Sequence, residues 1–225
     1  MKLVILLPGY VDSPDYLHLK IFEKRLEGLG YKAERLDPCN LWKTGDVENY
    51  NATNYLKTIK DCLDLYKDQK PEEVVLIGHS FGGAIAMIAG EKFTEVDKVI
   101  ALCPMTTFEN WGAKRWESDY RKSERDLPND PTKFRSFDMP LTITDDTNKY
   151  SVEQAVKNLH KPLMIFIALN DDVIKPEDLE KLVESANKPY VVRQENMGHN
   201  FRFSETESNL VMDEIERFLI GVIDC

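Results

Sequence analysis

The sequence predicts an α/β protein: about six parallel strands in one sheet, flanked by helices, with an insertion between two of the strands. Two observations carry this. Short β-branched runs alternate along the chain with longer runs of helical period. The short runs are apolar almost throughout rather than alternating with polar residues, as strands covered on both faces are. The length of 225 residues and a hydrophobic content of 42% allow one sizeable core, so a single domain over residues 1–225 is expected.

The elements follow in order. "KLVILL" (2–7) is the first strand. "YLHLKIFEKRLEGLG" is a helix with Leu17, Ile21, Leu26 and Leu29 at apolar spacing and Gly30 as its stop. "AERL" (33–36) is the second strand, and "NYLKTIKDCLDLYKD" a helix with Leu56, Ile59, Leu63 and Tyr66 on its buried side. "EVVLI" (73–77) leads through "GHSFG" into a helix over 83–93. "KVIAL" (98–102), "LMIFIA" (163–168) and "YVVRQ" (190–194) complete the strands. "SVEQAVKNLH" reads as a helix, and "PEDLEKLVESAN" as another, opened by Pro176. The last helix starts from a capping box, Ser204 with Glu207.

Residues 104–150 break this rhythm. They hold Phe108, Trp111, Trp116, Tyr120, Phe134 and Phe137 among eight Lys/Arg and nine Asp/Glu. A structureless excursion of that length is unexpected in a compact domain unless it has a function. The stretch reads as a lid on the C-terminal edge of the sheet, with Trp111 and Trp116 as candidate substrate-binding residues.

A net charge of −10 with no basic stripe argues against a nucleic-acid partner. No apolar run approaches the roughly 20 residues of a membrane-spanning helix, and the five apolar residues before Pro8 are too few for a signal-peptide core. Cys39, Cys62, Cys103 and Cys225 form no CxxC, and His18, His79, His160 and His199 show no metal spacing. A cytoplasmic protein with reduced thiols, no metal and no cofactor is the expectation. The oligomeric state is not legible.

The chemistry concentrates at "GHSFG" (78–82). A chain that reverses sharply from strand to helix forces an unusual backbone angle at Ser80, and glycines at 78 and 82 let neighbouring backbone approach. The turn presents the hydroxyl above the sheet at a helix N-terminus, where an anion is favoured. Ser80 is therefore the candidate nucleophile. It needs a base, and His199 in "ENMGHNF" follows the last strand on the same edge of the sheet. His79, His18 and His160 read as structural. The base needs an acid to fix its tautomer, and "IALNDDVIKP" offers Asp171 and Asp172 just after a strand. Asp145 and Asp146 are weaker contenders because no strand end anchors them.

The order Ser80, acid, His199 on alternating strands and helices resembles the α/β-hydrolase fold superfamily and its serine esterases. "ALNDDVI" is similar to that family's G-x-x-D-x-x-V segment with Ala168 in place of the glycine, and this resemblance puts the acid on Asp171. It implies an oxyanion hole from the backbone N–H of Phe81 and an N–H of the loop after the first strand. There the family's His-Gly-x has Pro8 for histidine, so the second donor is Tyr10, with Val11 as neighbour. The first two strands of many relatives are missing, so the sheet is expected to be all parallel. The implied activity is hydrolysis of small to medium acyl or aromatic carboxylic esters through an acyl-enzyme on Ser80, with the ester as small-molecule partner. Lid-bearing feruloyl- and cinnamoyl-type esterases offer an analogy. An acyltransferase or thioesterase with the same triad, or a non-catalytic ligand-binding relative, remain the alternatives.

Overall fold

A computed structural model describes residues 1–108 and 119–221. Eight strands and eight α-helices occur among them. In chain order they are β1 (Lys2–Leu7), α1 (Leu17–Gly28), β2 (Tyr31–Arg35), α2 (Leu41–Thr44), α3 (Ala52–Tyr66), β3 (Glu73–His79), α4 (Phe81–Lys92) and β4 (Lys98–Leu102). There follow β5 (Tyr120–Leu127), β6 (Asp130–Pro140), α5 (Thr142–Thr147), α6 (Val152–Asn158), β7 (Leu163–Ala168), α7 (Pro176–Ser185), β8 (Tyr190–Gln194) and α8 (Glu205–Ile220).

Six strands form one parallel sheet in the order β2-β1-β3-β4-β7-β8. The fold expectation holds, strand for strand. The two-residue period of a strand splits β1 between two cores. Leu3, Ile5 and Leu7 face the core covered by α3, α4 and α6, whereas Val4 and Leu6 face α1 and α8. Helix α4 is buried along nearly its whole length, from Phe81 to Gly90, as a helix apolar on all sides must be.

From β1 the chain winds outward to β2, and from β3 it winds the other way to β4. The loops after β1 and β3 therefore diverge, leaving a crevice at the C-terminal edge of the sheet. The site lies there.

Two readings shift. The buried side of α1 is His18, Leu19, Phe22 and Leu26, while Leu17 and Leu29 are exposed. The apolar spacing misplaced the face because a histidine occupies a core position, ringed by Phe22, His79 and Phe201. Strand β2 begins at Tyr31, directly after Gly30, whose φ of +84° turns the chain out of the helix. The Ser204 cap forms as expected, with its hydroxyl accepting from the Glu207 N–H.

Within 104–150 the sequence hides a regular element: β5 and β6 pair antiparallel as a separate two-stranded hairpin. Its strands are too charged to resemble the apolar sheet strands. Phe108 is buried against Phe81 and Phe137 against Trp42, whereas Tyr120 and Phe134 are exposed. Trp111 and Trp116 lie outside the described residues.

Candidate active site

Ser80 sits between β3 and α4 with φ 53° and ψ −117°. Such a conformation costs an L-residue of order 1–3 kcal/mol and persists only where the surroundings over-determine it. Here they do. The Ser80 N–H donates to Leu102 O at 2.9 Å, and Ser80 O accepts from Met105 N and Ala84 N. A Cβ on Gly78 would run into the Gly82 carbonyl, and one on Gly82 into the carbonyls of Leu7 and Pro8. The two glycines are thus required by close backbone approach, as "GHSFG" implied.

Three side chains from three loops meet at this turn. His199 Nε2 lies 2.9 Å from Ser80 Oγ, and His199 Nδ1 lies 2.7 Å from Asp171 Oδ2. A carboxylate can only accept, so Nδ1 carries the proton and Nε2 is left to accept from the serine hydroxyl. Asp171 is held in turn: its Oδ1 accepts from the Val173 and Ile174 N–H groups at 2.8 and 2.7 Å. The Asp171 carboxylate is fully buried.

The competing acids are elsewhere. Asp172 is exposed, as is Asp145. Asp146 is buried against Thr53, accepting from its N–H and hydroxyl, and pairs with Lys149. Only Asp171 of the four reaches His199.

His79 turns inward. Its Nε2 lies 3.1 Å from His199 O, and a carbonyl fixes that nitrogen as the donor. Burial, the neighbouring His199 and Arg202 push the His79 pKa well below its ordinary value, so it stays neutral and props the backbone of the His199 loop. His18, edge to face with it at 5.8 Å, is likewise held neutral by burial and by His79. His160 is exposed.

The Phe81 N–H is the first of α4, and the loop after β1 passes beside it: the Tyr10 and Phe81 rings meet edge to face at 6.2 Å. The Val11 N–H, the neighbouring possibility, donates to the Tyr50 hydroxyl at 2.9 Å. Tyr10 O accepts from Arg125 Nη2 at 2.8 Å.

Ser80 and His199 open into a cavity of about 700 Å³. One wall is β5 of the hairpin, and another is Val173 and Ile174 beyond Asp171. A buried ionic cluster fastens this hairpin to the body. Arg125 Nε lies 2.9 Å from Asp12 Oδ1, and Arg202 Nη1 lies 3.3 Å from Asp126 Oδ1. The Tyr16 hydroxyl donates to Asp126 O at 3.0 Å, and Arg202 stacks between the rings of Tyr16 and Phe203. Sequence reasoning missed this cluster, because its hydrogen-bonded partners lie 76 to 113 residues apart and no local pattern joins them.

One group of possible metal ligands occurs among the described residues: Cys103, Asp171 and His199, with ligand atoms within 4.8 Å of one another. Both Asp171 oxygens already accept hydrogen bonds, and burial pushes the Cys103 thiol far up. The donor set suits the hydrogen-bond chain better than a cation.

A parallel sheet of this order with a serine on a left-handed turn, a buried acid and a histidine at its C-terminal edge defines a class. The chain belongs to the alpha/beta hydrolase family, whose model matches residues 4–208. Among solved structures it is similar to Est1E from Butyrivibrio proteoclasticus with ferulic acid bound, at 19% identity and a TM-score of 0.80, over 98% of this chain and 89% of that one. It is also similar to the alpha/beta hydrolase GrgF from Penicillium sp. sh18, at 18% identity and a TM-score of 0.77, covering 97% and 89%. A monoacylglycerol lipase from Paleococcus ferrophilus aligns at 14% identity and a TM-score of 0.72, covering 97% and 94%. At these identities the likeness is one of fold. Comparison with curated protein sequences finds no match. No helix among the described residues is long and apolar enough to cross a membrane.

Proposed function

We propose that this chain is a serine hydrolase that cleaves carboxylic esters of small to medium size. The observation that carries the reading is the hydrogen-bond chain Ser80–His199–Asp171 at the floor of a cavity. In this reading His199 Nε2 takes the Ser80 proton as Oγ attacks the ester carbonyl carbon. The oxyanion is met by the Phe81 N–H and that of Tyr10. The C–O bond to the alcohol breaks, and the alcohol leaves with the proton held by His199. Water, deprotonated by the same nitrogen, then attacks the acyl-enzyme and releases the acid and Ser80. Asp171 keeps the imidazole in the tautomer this requires and stabilises the imidazolium.

The hairpin β5–β6 serves as the lid, since β5 walls the cavity. The ferulic acid held by Est1E makes aromatic esters reasonable first candidates, alongside simple acyl esters.

The test is turnover of 4-nitrophenyl esters of increasing acyl length by wild type and Ser80→Ala. Wild type is expected to hydrolyse the short esters. The variant is expected to lose up to about 10⁶-fold in kcat. Activity that survives Ser80→Ala, or a wild type inert on every ester, would overturn the proposal.

A further inference from the structure

The cavity above Ser80 has a surplus of positive charge in a chain whose net charge is −10. Its lining carries four cations and three carboxylates. Arg125 pairs with Asp12, Arg202 with Asp126, and Lys122 with Glu124. The fourth cation is Arg121, whose guanidinium has no ion pair or hydrogen bond among the described residues.

The strand geometry says where Arg121 faces. Side chains two apart on a strand share a side. Ser123 is buried with its Oγ 3.4 Å from the Tyr10 hydroxyl, and Arg125 reaches Asp12 and the Tyr10 carbonyl. Arg121, two residues before Ser123 on β5, belongs to this inward row. It is half-buried and lines the same cavity as Ser80 and His199. Its charge is felt at Tyr10: burial raises that phenol's pKa, and the Ser123 hydroxyl and Arg121 draw it back.

A half-buried guanidinium loses hydration without gaining a counter-ion, and its planar fork of donors matches a carboxylate or phosphate. In a cleft with protein walls its field is focused toward the incoming ligand. The other charges of the lining are paired within the protein, which leaves Arg121 as the unpaired cation of the lining among the described residues.

We propose that Arg121 anchors an anionic group of the substrate, so that the esters this site prefers carry a negative charge on either the acyl or the alcohol part. The proposal rests on the ester-hydrolase reading of Ser80. It names the substrate class of that site, with Arg121 as the specificity-determining residue.

Two matched pairs of esters separate the two placements. On the acyl side these are 4-nitrophenyl hexanoate and the 4-nitrophenyl monoester of adipic acid. On the alcohol side they are phenyl acetate and 4-acetoxybenzoate. The quantity read is the ratio of kcat/KM for the charged member over the neutral one. In wild type that ratio should be about tenfold or more in favour of the charged ester in at least one pair, and should shrink in high salt. Arg121→Gln should cut it about tenfold, Arg121→Lys should keep most of it, and Arg121→Glu should reverse the preference. Because each ratio is taken within one variant, a loss of folded protein lowers both rates together and leaves it unmoved. The same ratio in wild type and Arg121→Gln for both pairs would overturn the proposal.

Failure of the hydrolase reading looks different: wild type would turn over none of the four esters. Calorimetric titration of wild type and Arg121→Gln with adipate and with 4-hydroxybenzoate then decides the anion site. Binding lost in Arg121→Gln supports it, and equal or absent binding overturns it.

Discussion

Replacing Asp171 by asparagine keeps the shape of the side chain and changes what it can do for His199. Asp171 Oδ1 is already held by the N–H groups of Val173 and Ile174, so an Asn amide nitrogen would be turned toward the imidazole. It would demand an acceptor at Nδ1 and so force the proton onto Nε2, the nitrogen that receives the serine proton in the proposed mechanism. Asp171→Asn should cost roughly 10⁴-fold in kcat against a good ester while thermal stability changes little. Parallel kinetics and melting curves check both. Gly78→Ala should instead lower stability and activity together. Its Cβ would meet the Gly82 backbone, and the turn would have to move. A loss of about 1–3 kcal/mol in urea unfolding is expected, together with lost activity, because Ser80 rides on that turn. These residues were legible because strain and close approach leave a short, local signature. Gly-x-Ser-x-Gly between an apolar strand and an apolar helix carries nearly the whole local geometry in five letters. From the residues alone the acid was legible only as a pair, and it was the resemblance of "ALNDDVI" to a family segment that pointed to Asp171. The two backbone N–H groups that hold Asp171 Oδ1 are displayed by no sequence pattern.

At the scale of elements, the apolar strands and capped helices were readable because each encodes its own partner faces. The hairpin was not. Strands β5 and β6 are dense in charge, and what fixes them is pairing with each other, the burial of Phe137 and Met139 in the core, and an ionic cluster with remote loops. Asp126 is the joint of that cluster, meeting Arg202 and the Tyr16 hydroxyl at once. Asp126→Asn should destabilise the protein by about 1.5–3 kcal/mol, since a hydrogen bond to a buried charge is lost. More specifically, hydrogen exchange should quicken in β5 and β6 while β3 and β7 stay protected. Uniform quickening across the molecule would mean the cluster supports the whole fold rather than the hairpin.

For the whole molecule, the feature with the widest effect is the pair of buried histidines behind the site. His18 and His79 are both held neutral, and three of their four ring nitrogens have no partner. A depressed pKa in the folded state means the unfolded chain takes up protons first as the pH falls. Stability from this source is therefore complete above about pH 6.5, the ordinary histidine value, and declines below it toward the folded pKa values. Urea midpoints at pH 7, 6 and 5 (about one unit apart, spanning the ordinary histidine value) should fall steadily in wild type and more shallowly in His18→Leu. A wild-type midpoint flat across that window would contradict the assignment. His18 was read as a helix residue without a position, because an amphipathic pattern cannot distinguish a core histidine from one on the polar boundary.

The excursion between β4 and β7 has one more consequence. It leaves the sheet after Leu102 and returns at Leu163, yet those two strands are neighbours, paired from Val99↔Leu163 to Leu102↔Phe166. A single backbone cut at the hairpin turn, Pro128–Asn129, would yield two polypeptides. One would own Ser80 and the loop after β1, the other Asp171 and His199. The seam between them would be two β-ladders, β4–β7 in the main sheet and β5–β6 in the hairpin, with the cores on either side of the first. Neither piece would hold all three side chains of the proposed triad, so on the proposed function hydrolysis would count reunions, and the molecule is laid out as a split reporter.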